Sequence, residues 1–324
     1  MTSDKPFFSS LVTRHLSLAT DRINVTKANK TIDAEILREA LPYIRRFKGS
    51  KFVLKISGKV TEDRGILASL AEEIALLHQV GIRVTVVHGG GAQATQLAER
   101  LGLETKLVNG RRVTDDDTLE VVKMVFAGKI SVEILSALRA HQIHAVGVSG
   151  IDGNVVLARR RSKKRVVNRE TGKRETIDFG NVGDVVDVDP RLLTTLLDAG
   201  YLPVVSPLAA DEAGHVYNVN ADAIASAIAV EIGAEKLILL SDVPGVLARP
   251  SDPESLISRL TVAEARKLAK SSAVSGGMVA KLEEISRVAE AGVRAVHVVN
   301  GIQRNALLSE IFGDKGSGTM VVRE

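Results

Sequence analysis

The sequence predicts an α/β fold: an open αβα sandwich with a mainly parallel central sheet, preceded by a helical extension. Short continuous apolar runs rich in β-branched residues alternate with stretches of helical periodicity, the mark of strands buried on both faces between covering helices. The chain has 324 residues, 45% hydrophobic and 25% charged. That is enough for one large α/β unit or two domains, and it leaves no case for global disorder.

The elements follow in order. Residues 1–48 read as a helical extension in which Phe8, Leu11, Val12, Leu16 and Ala19 form one stripe and Ile32, Ile36, Leu37 and Ile44 a second. Either stripe packs on the chain's own body or forms a subunit interface. Phe52 to Ile56 is the first strand, followed by one helix from Thr61 to Val80 with Ile66, Leu70, Ile74 and Leu77 on one face, closed by Gly81. A second strand, Arg83 to His88, leads through three glycines to a helix from Ala92 to Leu101. Later strands are expected at 143–149, 202–206, 236–241 and 294–299, each preceded by a helical pattern. The expected division is 1–48 for the extension, 49–205 for a first lobe and 206–324 for a second.

Composition removes several classes of function. There is no Cys, hence no disulfide, thiolate metal site or cysteine nucleophile. Aromatic residues are 3%, too few for a platform that stacks single-stranded nucleic acid. No apolar run is long enough for a membrane span, and Asp4, Arg14 and His15 make the N-terminus a poor secretory signal. A cytoplasmic location is the expectation, with an organelle transit peptide left open. Lys plus Arg number 43 against 39 Asp plus Glu, a net +4. Residues 159–174 alone hold nine basic residues and one acidic one, so the rest of the chain is mildly acidic. The positive charge is one exposed hairpin tip or loop, and it does not make a general nucleic-acid surface.

Common motifs fail. Gly128-Lys129 is followed by Ile130, no G-x-G-x-x-G follows the first strand, and no H-E-x-x-H occurs. His141 and His144 stand three apart with no nearby carboxylate and read as residues flanking a helix end; no metal site is expected. Four sets remain. Lys55, inside an apolar strand ending at Ser57-Gly58, is either an edge charge or a phosphate ligand at the carboxyl end of a parallel strand. His88 to Gly91 is either a tight turn or a loop whose amides approach an anion at a helix N-terminus. Asn218, Asn220 and Asp222 alternate where a strand enters a helix, which puts their side chains on one side, a dense polar patch for a merely structural turn; the alternative for Asp222 is a helix N-terminal charge alone. Lys281 follows a glycine pair on a helix face, where a lysine is usually solvated.

Taken together these sets resemble the amino acid kinase family, and within it the branch that phosphorylates N-acetyl-L-glutamate. K-I-S-G at 55–58, HGGG at 88–91, NGRRVTDDD at 109–117, VNAD at 219–222, LLSDVPGV at 239–246 and GGMVAK at 276–281 occur in the family's order, and the likeness covers about residues 40 to 324. The resemblance implies that the first lobe binds the acyl amino acid and the second binds ATP, with Mg2+ carried by the nucleotide. It implies transfer of the γ-phosphoryl group to the side-chain carboxylate of N-acetyl-L-glutamate, a step of arginine synthesis. Lys55 and Lys281 would bracket the phosphoryl group and Asp222 would hold both ammonium groups. Gly58 and Gly90 would offer amides to the phosphates, with Gly89 shaping the turn. Gly90, Gly91, Arg112, Asn218 and Asn220 would bind the acyl amino acid, and Ser241, Asp242 and Gly245 would line the nucleotide side. One departure is Ser57, where the family has glycine; serine keeps a backbone N–H, so phosphate binding is expected to survive.

The likeness extends to regulation. Residues 1–48 and the C-terminal segment are similar to the parts of arginine-inhibited members, which implies L-arginine as an inhibitor bound near His297, Glu310 and Gly316, and a homo-oligomer, either a dimer or a hexamer built as a trimer of dimers. Alternatives are a related kinase of a carrier-linked or acylated aminoadipate and, in another class, the kinase-like regulatory domain of an N-acetylglutamate synthase or an arginine sensor. Nucleic acid and membrane are not expected as partners.

Overall fold

The computed structural model describes residues 34–167, 174–249, 251–271, 274, 277–313 and 316–324. The chain divides into residues 1–41 and 42–324. The first-stripe residues Phe8 to Ala19, and Ile32 of the second, lie outside the described residues. What is described of the first unit is helical, the opening of α1 (Ala34–Phe47).

In the second unit the elements alternate in the expected way. β1 (Lys51–Ile56) is followed by α2 (Gly58–Glu62), α3 (Arg64–Gln79), β2 (Arg83–His88) and α4 (Gly91–Arg100). Then come the short strands β3 (Leu107–Val108) and β4 (Arg111–Arg112), α5 (Asp116–Lys123), a π-helical turn at Met124–Ile130, α6 (Ser131–Ala140) and β5 (Ala145–Ser149). β6 (Val156–Arg160), β7 (Lys164–Val167), β8 (Arg174–Ile177) and β9 (Val182–Val188) precede α7 (Arg191–Asp198) and β10 (Leu202–Ser206). β11 (Leu208–Ala210), β12 (Val216–Val219), α8 (Ala221–Glu231) and β13 (Lys236–Ser241) follow. The chain closes with β14 (Arg259–Thr261), α9 (Val262–Ala269), α10 (Gly277–Glu290), β15 (Ala295–Asn300), α11 (Ala306–Phe312) and β16 (Thr319–Val322).

Eight strands form one sheet in the order β14-β16-β15-β13-β1-β2-β10-β5. Its pairs are parallel except β15 with β16. Phe52, Leu54 and Ile56 enter one apolar core with helices α3 to α6, and Val53 enters the other with α7 to α10. The period-two alternation of a strand covered on both faces accounts for this division. β6, β9, β12 and β11 close a small barrel beyond the main sheet.

One reading of the sequence needs correction. The helix expected from Thr61 to Val80 is two helices. Asp63 stands between them in extended backbone and its carboxylate accepts the amides of Gly65 and Ile66 at 2.7 and 2.9 Å, capping α3. A capping aspartate starts a helix, so the apolar periodicity runs through a break that it does not reveal. The basic stretch falls in a hairpin, as expected: β7 pairs antiparallel with β8, and residues 168–173 between them lie outside the described residues. Val166 packs this hairpin on a small core of Val108, Ile177, Phe179 and Val182, which ties it to the β3–β4 hairpin.

Candidate active site

The charges of the site stand on one face of the sheet. Alternation along β1 turns Lys55 to the same side as Val53, where α8 and α10 pack. Asn220 caps α8, its side-chain oxygen accepting the amides of Asp222 and Ala223 at 2.7 and 3.1 Å. Asp222 therefore sits in the first turn, where the helix dipole favours negative charge. Its Oδ1 lies 2.8 Å from Lys55 Nζ. Lys281 approaches from α10. Burial pushes its ammonium below the ordinary lysine value and Lys55 repels it, while Asp222 and Asp242 oppose both effects. Asp222 thus acts on both lysines, which stand in each other's field.

Two glycine loops leave the carboxyl ends of adjacent parallel strands, since Ile56 of β1 pairs with His88 of β2. The Gly89 amide donates to Ile56 O at 2.8 Å and sets the turn. A Cβ on Gly90 would lie 2.2 Å from Ile130 Cδ1 and 2.9 Å from Phe126 Cε1, and one on Gly58 would lie 3.4 Å from Gly90 Cα. The loops are packed against each other and against the π-helical turn. The first amides of α4 have no partner within the helix, and with the dipole they form a donor set for an anion.

Ser57 donates its backbone N–H to Leu240 O at 2.9 Å, continuing the ladder of β1 with β13. Its buried hydroxyl has no hydrogen-bond partner among the described residues.

Arg112 reaches back from β4 to the second loop. Its Nη2 donates to Gly91 O and, at 2.6 Å, to Thr95 Oγ1, while its buried Nη1 has no partner among the described residues. A guanidinium with half of its fork unused is suited to a carboxylate. Burial lowers its proton affinity. Asn218 donates to Thr114 Oγ1 at 3.2 Å, which links β12 to the segment after β4. His88 is fully buried and held neutral, its pKa lowered by burial to about 4.

The expectation that Asn218, Asn220 and Asp222 share one side by strand alternation does not hold. β12 ends at Val219 and Asn220 turns its side chain into the helix cap. Ser241 is buried at the end of β13, and its carbonyl accepts Gly301 N at 2.8 Å. Gly245 has φ +148°, and a Cβ there would lie 2.6 Å from Thr319 Oγ1, so this turn packs on β16 and requires glycine. Asp242 pairs with Lys59 of α2, and that contact, ahead of burial, sets its carboxylate below the usual range. Lys59 was missed in the sequence; the available signal was a second lysine directly after Ser57-Gly58.

His297, Glu310 and Gly316 meet away from these loops. His297 Nδ1 is 2.6 Å from Glu310 Oε1, and Glu310 Oε2 accepts the amides of Ser317 and Gly318 at 2.7 and 2.8 Å. Gly316, at φ +65°, leaves no room for a Cβ beside the Glu310 carboxylate, 2.7 Å away. Lys236 completes the cluster, its Nζ 2.9 Å from His297 Nε2, and burial lowers its pKa to about 8. Lys236 also escaped the sequence reading, since a lysine opening an apolar strand looks like an edge charge. No group of three His, Cys, Asp or Glu side chains suited to a metal ion occurs among the described residues.

Residues 50–300 match the amino acid kinase family. The acetylglutamate kinase of Methanothermobacter thermautotrophicus is 44% identical over 292 residues, covering 90% of this chain and 99% of that protein. The acetylglutamate kinase of Symbiobacterium thermophilum is 45% identical over 290 residues, covering 90% and 97%. Among solved structures, N-acetylglutamate synthase from Neisseria gonorrhoeae, complexed with coenzyme A and N-acetyl-glutamate, superposes with a TM-score of 0.76 at 29% identity. The match covers 90% of this chain but 64% of the synthase chain. Carbamate kinase from Giardia, at 15% identity and a TM-score of 0.61, shares the fold.

Proposed function

Because the chain belongs to the amino acid kinase family, we propose that it transfers the γ-phosphoryl group of ATP to the side-chain carboxylate of N-acetyl-L-glutamate, giving N-acetylglutamyl 5-phosphate in amino-acid biosynthesis. The carrying observation is the convergence of Lys55, Asp222 and Lys281 on one sheet face, beside two glycine loops at the strand ends. Acetylglutamate kinases of 44 and 45% identity support the choice of acceptor.

The acceptor carboxylate is already ionised near neutral pH, so the reaction needs no general base. A carboxylate oxygen attacks the γ-phosphorus and the bond to the β,γ-bridging oxygen breaks, leaving ADP. The difficulty is bringing anions together in line, which calls for cations and fixed donors. Lys55 and Lys281 hold the transferring group from the two sides, and Asp222 keeps the ammonium groups oriented without letting them repel each other apart. Gly58 and Gly90 offer amides to phosphate oxygens. Arg112 grips a substrate carboxylate with its unused Nη1, next to Gly91, Asn218 and Asn220. Residues 49–205 bind the acyl amino acid; residues 206–324, with Ser241, Asp242 and Gly245, bind the nucleotide. Lys55, Lys281 and the amides of Gly58 and Gly90 would hold the phosphate oxygens of a nucleotide that carries Mg2+, and the ion would supply further charge neutralisation. The same reading places the enzyme in the cytoplasm; among the described residues no helix is long and apolar enough to cross a membrane.

Regulation by L-arginine at the Lys236–His297–Glu310 cluster, with Gly316, belongs to the same reading. The observation favouring it is a buried carboxylate surrounded by donors, suited to a guanidinium that displaces one of them. A homo-oligomer, either a dimer or a hexamer whose dimers are linked through residues 1–48, completes it.

ADP release measured side by side with N-acetylglutamate, N-acetylaminoadipate, aspartate and carbamate tests the proposal. Turnover highest with N-acetylglutamate, and lost in Lys281→Ala, is expected. Faster turnover with another acceptor overturns the substrate, and full activity in Lys281→Ala overturns the site.

A further inference from the structure

Three lysines, rather than the two named above, belong to the charge system of the site. The run Lys55-Ile56-Ser57-Gly58-Lys59 places Lys59 in α2, directly after the glycine that packs on Gly90. Its ammonium pairs with Asp242, in the loop leaving β13, the strand beside β1. Asp242 acts on Lys281 and Lys281 on Asp222, and Asp222 pairs with Lys55 at 2.8 Å. The charges therefore alternate: Lys59, Asp242, Lys281, Asp222, Lys55.

The two aspartates cancel two of the lysines. With Lys59 the row keeps one unit of positive charge; without it the row is neutral. A neutral row gives no net attraction to a triphosphate, whose several negative charges are the main obstacle to binding and transfer. Glu62, three residues on, attracts Lys59 more weakly, and Asp63 is engaged in capping α3. A purely structural role explains little, because the Lys59 side chain is 63% exposed and exposed ion pairs add little to stability. In the same loop the Ser57 amide is already bound to Leu240 O.

We propose that Lys59 is a nucleotide-binding residue whose ammonium passes from Asp242 to the phosphate chain of bound ATP. The inference rests on the kinase reading and assigns the site a third phosphate-directed cation, in a loop whose Ser57 amide is used by the sheet.

The test uses the full chain and the variants Lys59→Met and Lys59→Arg. ATP binding is measured by calorimetry without acceptor, and KM is measured for both substrates. Lys59→Met is expected to weaken ATP binding and raise its KM by roughly tenfold, the scale of one charge-assisted contact. The acceptor KM should stay within about twofold, the salt dependence of ATP binding should flatten, and Lys59→Arg should restore most of the affinity. An unchanged ATP dissociation constant in a folded Lys59→Met protein overturns the inference, as does an equal rise in both KM values. A chain that binds ATP through Lys59 yet does not phosphorylate N-acetylglutamate would overturn the proposed substrate and uphold the role of Lys59.

Discussion

Replacing Asp222 by Asn removes the negative charge between Lys55 and Lys281 while keeping the side chain's shape. Coulomb's law at the 2.8 Å separation of Lys55 and Asp222, with an effective dielectric constant of about 20, gives an attraction of about 6 kcal/mol. The carboxylate is 36% exposed and Lys55 14%, so solvent screening reduces this to a net of about 2–3 kcal/mol, below the 3–5 kcal/mol that follows breaking a fully buried pair. Expressed fully in the transition state, that is a loss of about 30- to 150-fold in kcat/KM. The pH profile supplies a sharper readout. Burial already lowers the proton affinity of Lys281 and Asp222 opposes this, so the variant's Lys281 must release its proton at lower pH. The ammonium is the competent form, and the alkaline limb of kcat/KM should therefore move down in pH. A coupled assay from pH 6 to 10 measures both quantities. An alkaline limb that stays in place or moves up, or a loss under about threefold, would refute the idea that Asp222 holds the two lysines.

Other expectations concern the scaffold. Gly90→Ala forces a Cβ to within 2.2 Å of Ile130 Cδ1 in a region where Ile130 and Phe126 are buried, and it should destabilise the fold by about 1–3 kcal/mol in urea titration. Ser57→Gly removes a buried hydroxyl with no hydrogen-bond partner among the described residues from an N-cap that makes no side-chain cap bond; stability should change by less than about 1 kcal/mol. Burial raises the Glu310 pKa, but the hydrogen bond from His297 and the amides of Ser317 and Gly318 outweigh it, and the net shift is downward. A depressed folded-state value stabilises above the unfolded pKa and is lost as pH falls through it, so part of the acid-induced loss of thermal stability below about pH 4.5 should be absent in Glu310→Gln. That variant should also be less stable at pH 7 by about 1–3 kcal/mol.

Much of the architecture is visible in one dimension because buried parallel strands demand continuous apolar runs. The runs at 202–206 and 236–241 are strands with those bounds. What the periodicity could not reveal was any break with an apolar pattern on both sides, as at Asp63, or a side chain that leaves its strand to cap a helix, as Asn220 does. Both depend on a side chain that accepts two backbone amides, a geometry no spacing encodes.

By itself the sequence determined the class of sheet, the positions of the glycine loops at strand ends and the family, since these follow from local pattern and from motifs in a set order. The tertiary structure alone decided which charges meet. Lys55 and Asp222 are 167 positions apart, Lys59 and Asp242 are 183 apart, and neither pair has a mutual signal in the chain. It also decided that the Ser57 amide is spent on Leu240, which follows from the register of β1 against β13. A hydrogen-bond donor is free or used according to what lies across from it, and only the folded chain determines that.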